Sequence, residues 1–398
     1  MLNSLILRLA SMALKFVFLV VAASHLPAEE IALFGKINGM VLLLIYLIAL
    51  DLYIATSRTI ANQPRLFHTL LSNQILVSTV LFVATIPLLI WAFSGATSVA
   101  APFLVLLVVS ELVSQEFYRL NISFGDYVKA NVLFFIKTGG WTGVATMGIA
   151  LGMITDMGEI IVVWLVSALI ATLYGWVSVR KYARGFRFRP DVRAFFRALR
   201  NNILIFTSSL TLIVLGTVDK IYLGTFGDSD KTAAYVFFSS IAGAATTLIY
   251  TGVVNPNYGK LANPDTTEFE IRQVIRKIAI AAMAMLILLL FAAFVLIGPL
   301  LVLMGREYLH AEKPLLWLIS LSVLMNTLSL VPHFYLLAHK RDKLIAIASA
   351  IGILVYLAVL HPFFLLWGTP SVAVSVAIGF LALFFVKSIF AVNLARTI

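Results

Sequence analysis

The sequence predicts an all-α, polytopic membrane protein of about 12 helices in two six-helix lobes, with both termini cytoplasmic. Three observations lead there. First, the 398-residue chain is 61% hydrophobic with a mean hydropathy of +1.02, more apolar surface than a soluble core can hide. Second, apolar runs of the roughly 20 residues that a spanning helix needs recur along the whole chain. Third, lysine and arginine are concentrated in alternate connections. The chain has no cysteine, which excludes disulfides, zinc–thiolate sites and thiol nucleophiles. The formal net charge of +11 does not point to nucleic acid, because in a membrane protein such an excess collects in cytoplasmic loops.

Turn signals between the apolar runs place helices at 5–25, 37–57, 73–93, 101–120, 131–152, 159–179, 203–225, 233–254, 275–304, 314–338, 344–366 and 370–393. With the N-terminus inside, the even connections are cytoplasmic. They hold Arg58 and Arg65; Arg119 and Lys129; the bases of 180–200; Lys260 and Arg272; and Lys340, Arg341 and Lys343. The odd connections hold only Lys36, Lys231, Arg306 and Lys313, with the acids Glu29, Glu30, Asp156, Glu159, Asp228 and Asp230. This bias sets the orientation. Residues 1–24 imitate a signal peptide, but Lys15 interrupts their apolar run, so the segment is expected to remain as helix one.

The largest hydrophilic connection, "RKYARGFRFRPDVRAFFRALRNN" from Arg180 to Asn202, divides six helices from six. It gives an N-terminal lobe at 1–180, a basic cytoplasmic connection at 181–202 and a C-terminal lobe at 203–398. Its eight bases alternate with aromatics, as suits contact with anionic inner-leaflet lipid; a pure topology signal is the plainer reading. "PAEEIALF" (Pro27–Phe34) follows helix one and "DSDKTAAY" (Asp228–Tyr235) follows helix seven. Both are acidic turns leading to an alanine and an aromatic, about half the chain apart, consistent with a parallel 6+6 repeat.

Ionisable residues inside spans are costly and usually face a wet cavity or a partner. Lys15 lies near the middle of helix one. Asp51 and Arg58 share a face of helix two. On helix four Glu111, Gln115 and Arg119 recur every four residues, forming a polar stripe along the cytoplasmic half. Glu111 is roughly 15 Å from the inner end at 1.5 Å per residue. Lys137 enters helix five from inside. Asn326 lies with Ser322 and Ser329 on one face of helix ten, where an interhelical hydrogen bond is the first expectation and a polar lumen contact the second. In "LGTVDKIYLGTFG" the adjacent Asp219 and Lys220 point about 100° apart. Each is therefore expected to find its own partner, as a structural pair or as lining of a central chamber. Gly139, Gly143, Gly148 and Gly152 have small-residue spacing for close helix packing, and Pro87, Pro299 and Pro332 are expected to kink their helices.

The absences also exclude classes. No GxxxxGK[ST] occurs, so this chain is not an ATPase. All six histidines fall at loops or helix ends, so an intramembrane histidine relay is not expected. No outer loop is large enough to suggest a glycan polymerase or ligase, and no enzyme activity is expected.

"ASHLPAEEIALFGKING", "VDKIYLGTFGDSDKTAAY" and the 6+6 plan with its basic mid-chain connection together resemble the polysaccharide-export flippases. These are the O-antigen (Wzx-type) branch of the multidrug/oligosaccharidyl-lipid/polysaccharide (MOP) exporter superfamily. The resemblance implies transport of an undecaprenyl-pyrophosphate-linked sugar repeat unit from the inner to the outer leaflet of the bacterial inner membrane. Polysaccharide polymerase and chain-length machinery are implied as partners. Lys15, Arg58, Arg119, Lys137 and Lys220 would then supply lumen cations for the pyrophosphate. Asp51, Glu111 and Asp219 would serve as coupling or structural carboxylates, and Gln115 and Asn326 as polar lumen groups. No cofactor is implied, and H+, Na+ or membrane potential are alternative driving forces. Asp219 is expected to hold helix seven against a basic partner while Lys220 faces the upper chamber. The rival readings are a cation-coupled drug antiporter on the same fold, a glycan polymerase or ligase, and an inactive scaffold. Five basic lumen candidates against three acidic ones favour an anionic cargo.

Overall fold

The architecture comes from a computed structural model describing residues 2–50, 67–93, 101–183, 186–262 and 267–397. Among them no strand occurs, and eleven helices are long and apolar enough to cross a membrane. The expected all-α, polytopic class is the one observed.

The helices are α1 (Leu2–His25), α2 (Ala28–Ala49), α3 (Phe67–Phe93), α4 (Ala101–Ser123), α5 (Tyr127–Ala150) and α6 (Met157–Val179). They continue as α7 (Val192–Phe226), α8 (Ser229–Val254), α9 (Glu268–Met304), α10 (Pro314–Ala338), α11 (Asp342–Trp367) and α12 (Thr369–Ala395). Two short helices, Asn255–Ala262 and Glu307–Ala311, were not predicted.

Two boundaries correct the sequence reading. Helix two was expected from residue 37, but α2 starts at Ala28. Pro27 precedes it with φ −59° and has no N–H to leave unsatisfied, and Glu29 and Glu30 occupy the first turn, where the helix dipole favours acids. What reads as an acidic loop is therefore a helix start, and Lys36 lies inside α2 rather than in a connection. Glu30 also accepts the backbone N–H of Met157 at 2.6 Å, tying this turn to the start of α6. Likewise α7 begins at Val192, so the second half of the basic connection is helical.

The chain divides into two compact units, Met1–Phe206 and Thr207–Ile398, with the boundary inside α7. In the first unit α1 packs along α5, and α4 along α6. Gly175 makes the α4–α6 approach possible: a Cβ there would lie 2.6 Å from the Phe117 ring. Phe18, Phe34, Trp141 and Trp164 form a continuous aromatic cluster, with Trp141 stacked on Trp164 at 4.9 Å. In the second unit α12 packs along both α10 and α11, and α10 also meets α8 and α9.

The basic connection is docked on the first unit. Backbone N–H groups of Arg187, Arg189 and Asp191 donate to His68 Nδ1 (3.4 Å), Ser72 Oγ (2.9 Å) and Asn73 Oδ1 (2.7 Å). Near its start, Asp126 accepts from Lys129 Nζ at 2.8 Å and Tyr182 Oη at 2.9 Å, with Lys181 Nζ at 3.5 Å. These contacts hold the Asp126 carboxyl below its ordinary range, the Lys129 hydrogen bond contributing most.

Candidate functional site

The helix-four stripe is a set of buried, paired charges. Glu111 is 4% exposed. Its Oε2 lies 2.9 Å from Lys137 Nζ and its Oε1 accepts the Trp164 indole N–H at 2.6 Å. Lys137 also donates to Gln115 Oε1 at 2.9 Å and to the Glu111 carbonyl at 3.2 Å. Lys137 stands in a π-helical stretch, Phe135–Gly140, within α5. Wider turns of this kind occur frequently at functional sites.

Arg119 does not continue that stripe. Its Nη1 donates to Glu116 Oε1 at 2.6 Å, and Gln74 of α3 also donates to Glu116, so this pair faces α3 while Glu111 and Gln115 face α5. A third polar group joins α1 to α4 and α5: Arg8 donates to Asn131 Oδ1 at 2.8 Å and to the Tyr118 hydroxyl. Arg8, Gln74, Glu116 and Trp164 were missed in the sequence. The i, i+3 spacing of Glu116 and Arg119 was the available signal for one pair. Lys15 is exposed on α1. Asp51 and Arg58 lie outside the described residues.

In the second unit Asp219 is 3% exposed. Its interhelical partner is a phenol, not the expected base: Tyr235 Oη of α8 donates to Asp219 Oδ2 at 2.6 Å. The separation expected of the neighbouring charges also fails. The Lys220 ammonium folds back to within 3.6 Å of Asp219 Oδ1 and donates to the Gly216 carbonyl at 2.7 Å. The long lysine stem allows this although the two Cβ directions diverge. Asp228 caps α8 by accepting the Lys231 N–H at 3.1 Å. The two hairpins share a register: Phe18 meets Phe34 across α1–α2, and Asp219 meets Tyr235 across α7–α8, each pair 16 residues apart.

Asn326 lacks the interhelical hydrogen bond expected of it. Its Oδ1 is buried without a partner among the described residues, while Ser322 and Ser329 bond carbonyls of their own helix. His333 corrects the reading that all histidines sit at ends, since it lies within α10 with Nδ1 buried. Lys387 of α12, unnoticed in its apolar run, is 5% exposed and forms no ion pair among the described residues. Among the described residues no cluster of three His, Cys, Asp or Glu is arranged to hold a metal.

In each unit, then, buried charges are paired within an all-helical fold, and solved structures of MOP superfamily transporters share that fold. An inward-facing multidrug resistance MATE transporter of the MOP superfamily shares the fold at TM-score 0.65 and 17% identity, over 97% of this chain and 95% of that one. The lipid II flippase MurJ, in an inward closed conformation, matches at TM-score 0.72 and 15% identity, over 99% of this chain and 88% of that one. A MOP superfamily transporter from Pyrococcus furiosus matches at 0.59 and 12%, over 98% and 93%. No curated protein sequence matches. The chain belongs to the polysaccharide biosynthesis protein family, which matches residues 2–255.

Proposed function

We propose that this protein is a lipid-linked oligosaccharide flippase. It moves an undecaprenyl-pyrophosphate-linked repeat unit from the inner to the outer leaflet of the bacterial cytoplasmic membrane. The observation that carries the reading is the match to the polysaccharide biosynthesis family over residues 2–255, on a fold shared with a lipid II flippase. In this reading the basic connection lies inside, twelve spans would bring both termini to the same side, and transport is by alternating access.

The proposed chemistry is electrostatic. A pyrophosphate entering low dielectric loses hydration, and cations offset that cost. Lys137 and Arg119 are held by Glu111 and Glu116, so cargo binding exchanges an internal carboxylate for a phosphate oxygen. Lys15, Arg58 and Lys220 complete the cationic set, with Gln115 and Asn326 as polar contacts. Asp51, Glu111 and Asp219 are the carboxylates through which H+ or Na+ would couple; membrane potential acting on the anionic head is the alternative drive. Polymerase and chain-length machinery take the product.

Deleting the gene in its host tests this. Surface polysaccharide should fall while unpolymerised, lipid-linked repeat units build up at the cytoplasmic face. Normal surface glycan with no stalled intermediate, in a host without a second flippase, contradicts it. Dye efflux dependent on the protein would move the assignment to a drug antiporter.

A further inference from the structure

An apolar groove of ≈ 360 Å³ runs between α3, α4 and α6 in the first unit. Ile75, Phe82, Val113, Phe117 and Trp176 line it, together with Phe186 of the basic connection. Ile75 is 43% and Trp176 54% exposed, so the groove is open at the surface of the unit along apolar residues. The volume falls in the range of small-ligand sites, about 300–1,000 Å³. Glu116, the carboxylate in the lining, is already neutralised by Arg119 and bonded by Gln74.

The position of the basic connection points to the occupant. A topology signal needs charge on the correct side, not a fixed conformation. Here the backbone is pinned at three successive alternate residues, Arg187, Arg189 and Asp191, by side chains of α3. Phe186 stacks on His68 at 5.7 Å. The Arg187 and Arg189 side chains are exposed and follow in the chain after Phe186, which lines the groove. An apolar slot beside two arginines whose backbone is held complements a hydrocarbon chain ending in a phosphate.

We propose that the groove binds an anionic phospholipid of the surrounding leaflet, with one acyl chain between α3, α4 and α6 and the phosphate against Arg187 and Arg189. The inference rests on the inward orientation of the basic connection proposed above, not on the cargo. The site holds a resident lipid that fixes the connection to the first unit.

Native mass spectrometry of the purified full chain tests it, titrated separately with phosphatidylglycerol, phosphatidylcholine and undecaprenyl phosphate. Phosphatidylglycerol should be retained over phosphatidylcholine, and R187A/R189A should weaken its retention about tenfold. Val113→Trp, which fills the slot, should do the same. Ile75→Trp, at an exposed position, serves if that variant does not fold. Equal retention of the two phospholipids, or wild-type retention by the slot-filling variant, overturns the site. Preferential retention of undecaprenyl phosphate overturns the phospholipid and assigns the slot to a cargo tail. None of these outcomes depends on transport.

Discussion

Glu111 survives buried in α4 because both its oxygens are used, by Lys137 and by the Trp164 indole. Removing one partner of such a pair leaves a buried charge uncompensated, which costs about 3–5 kcal/mol, whereas removing both can be nearly neutral. Lys137→Met should therefore lower the thermal stability of the purified protein by about that amount, and Glu111→Leu added to it should restore most of the loss. Equal stability of the single variant and wild type would show that the pair is not buried as described. Asp219 depends on Tyr235 in a similar way, and Tyr235→Phe should cost about 1–3 kcal/mol by leaving a carboxylate oxygen unsatisfied. Asp126 supplies a pH-dependent case. Its folded pKa is depressed, mainly by Lys129. Its stabilisation is thus complete above the unfolded carboxylate value of about 3.9 and is lost as pH falls through the lower folded value. Because the group is partly exposed, the difference between wild type and Asp126→Asn should be only about 0.2–1 kcal/mol at neutral pH and should vanish in acid. Chemical denaturation across that range reads it.

At the scale of elements, helices meet where glycine permits. A Cβ on Gly379 of α12 would lie 2.8 Å from Leu215 Cδ2 and 2.9 Å from Tyr356 Cβ. Gly379→Ala should therefore cost about 1–3 kcal/mol through overpacking, with a matching fall in unfolding temperature. The limits of α10 were readable because Pro314 opens the helix at its first positions and a basic turn follows Ala338. The starts of α2 and α7 were not, because polarity resembles a loop when a helix projects from the bilayer or begins with acids favoured by its dipole. The π-helical stretch carrying Lys137 left no periodic signal, since one wide turn barely shifts an apolar pattern. Within the site, Glu111, Lys137 and Gln115 were legible as polar interruptions of apolar runs. Their mutual pairing was not, nor was the turn of Arg119 toward Glu116, because both depend on which neighbouring helix each face meets. The acidic turns at Pro27 and Asp228 were legible as a repeat, and the shared register of Phe18–Phe34 and Asp219–Tyr235 gives that repeat a physical content.

For the whole molecule, eleven helices able to span a membrane, the polysaccharide biosynthesis family and a MOP-class fold fit one account. In the proposed function, the charges held as internal pairs are what an anionic cargo would draw on when it arrives. On that account Lys137→Met should abolish translocation even when stability is restored by Glu111→Leu, because the restored core has no cation to offer. The most direct test of the central claim is translocation by the purified protein. Proteoliposomes would carry a fluorescent undecaprenyl-pyrophosphate-linked oligosaccharide in one leaflet, and its accessibility to a membrane-impermeant quencher would be followed in time. The account predicts protein-dependent crossing that is faster than in empty liposomes and lost in the Lys137→Met, Glu111→Leu double variant. Crossing no faster than in empty liposomes, under imposed proton, sodium and voltage gradients alike, would contradict it.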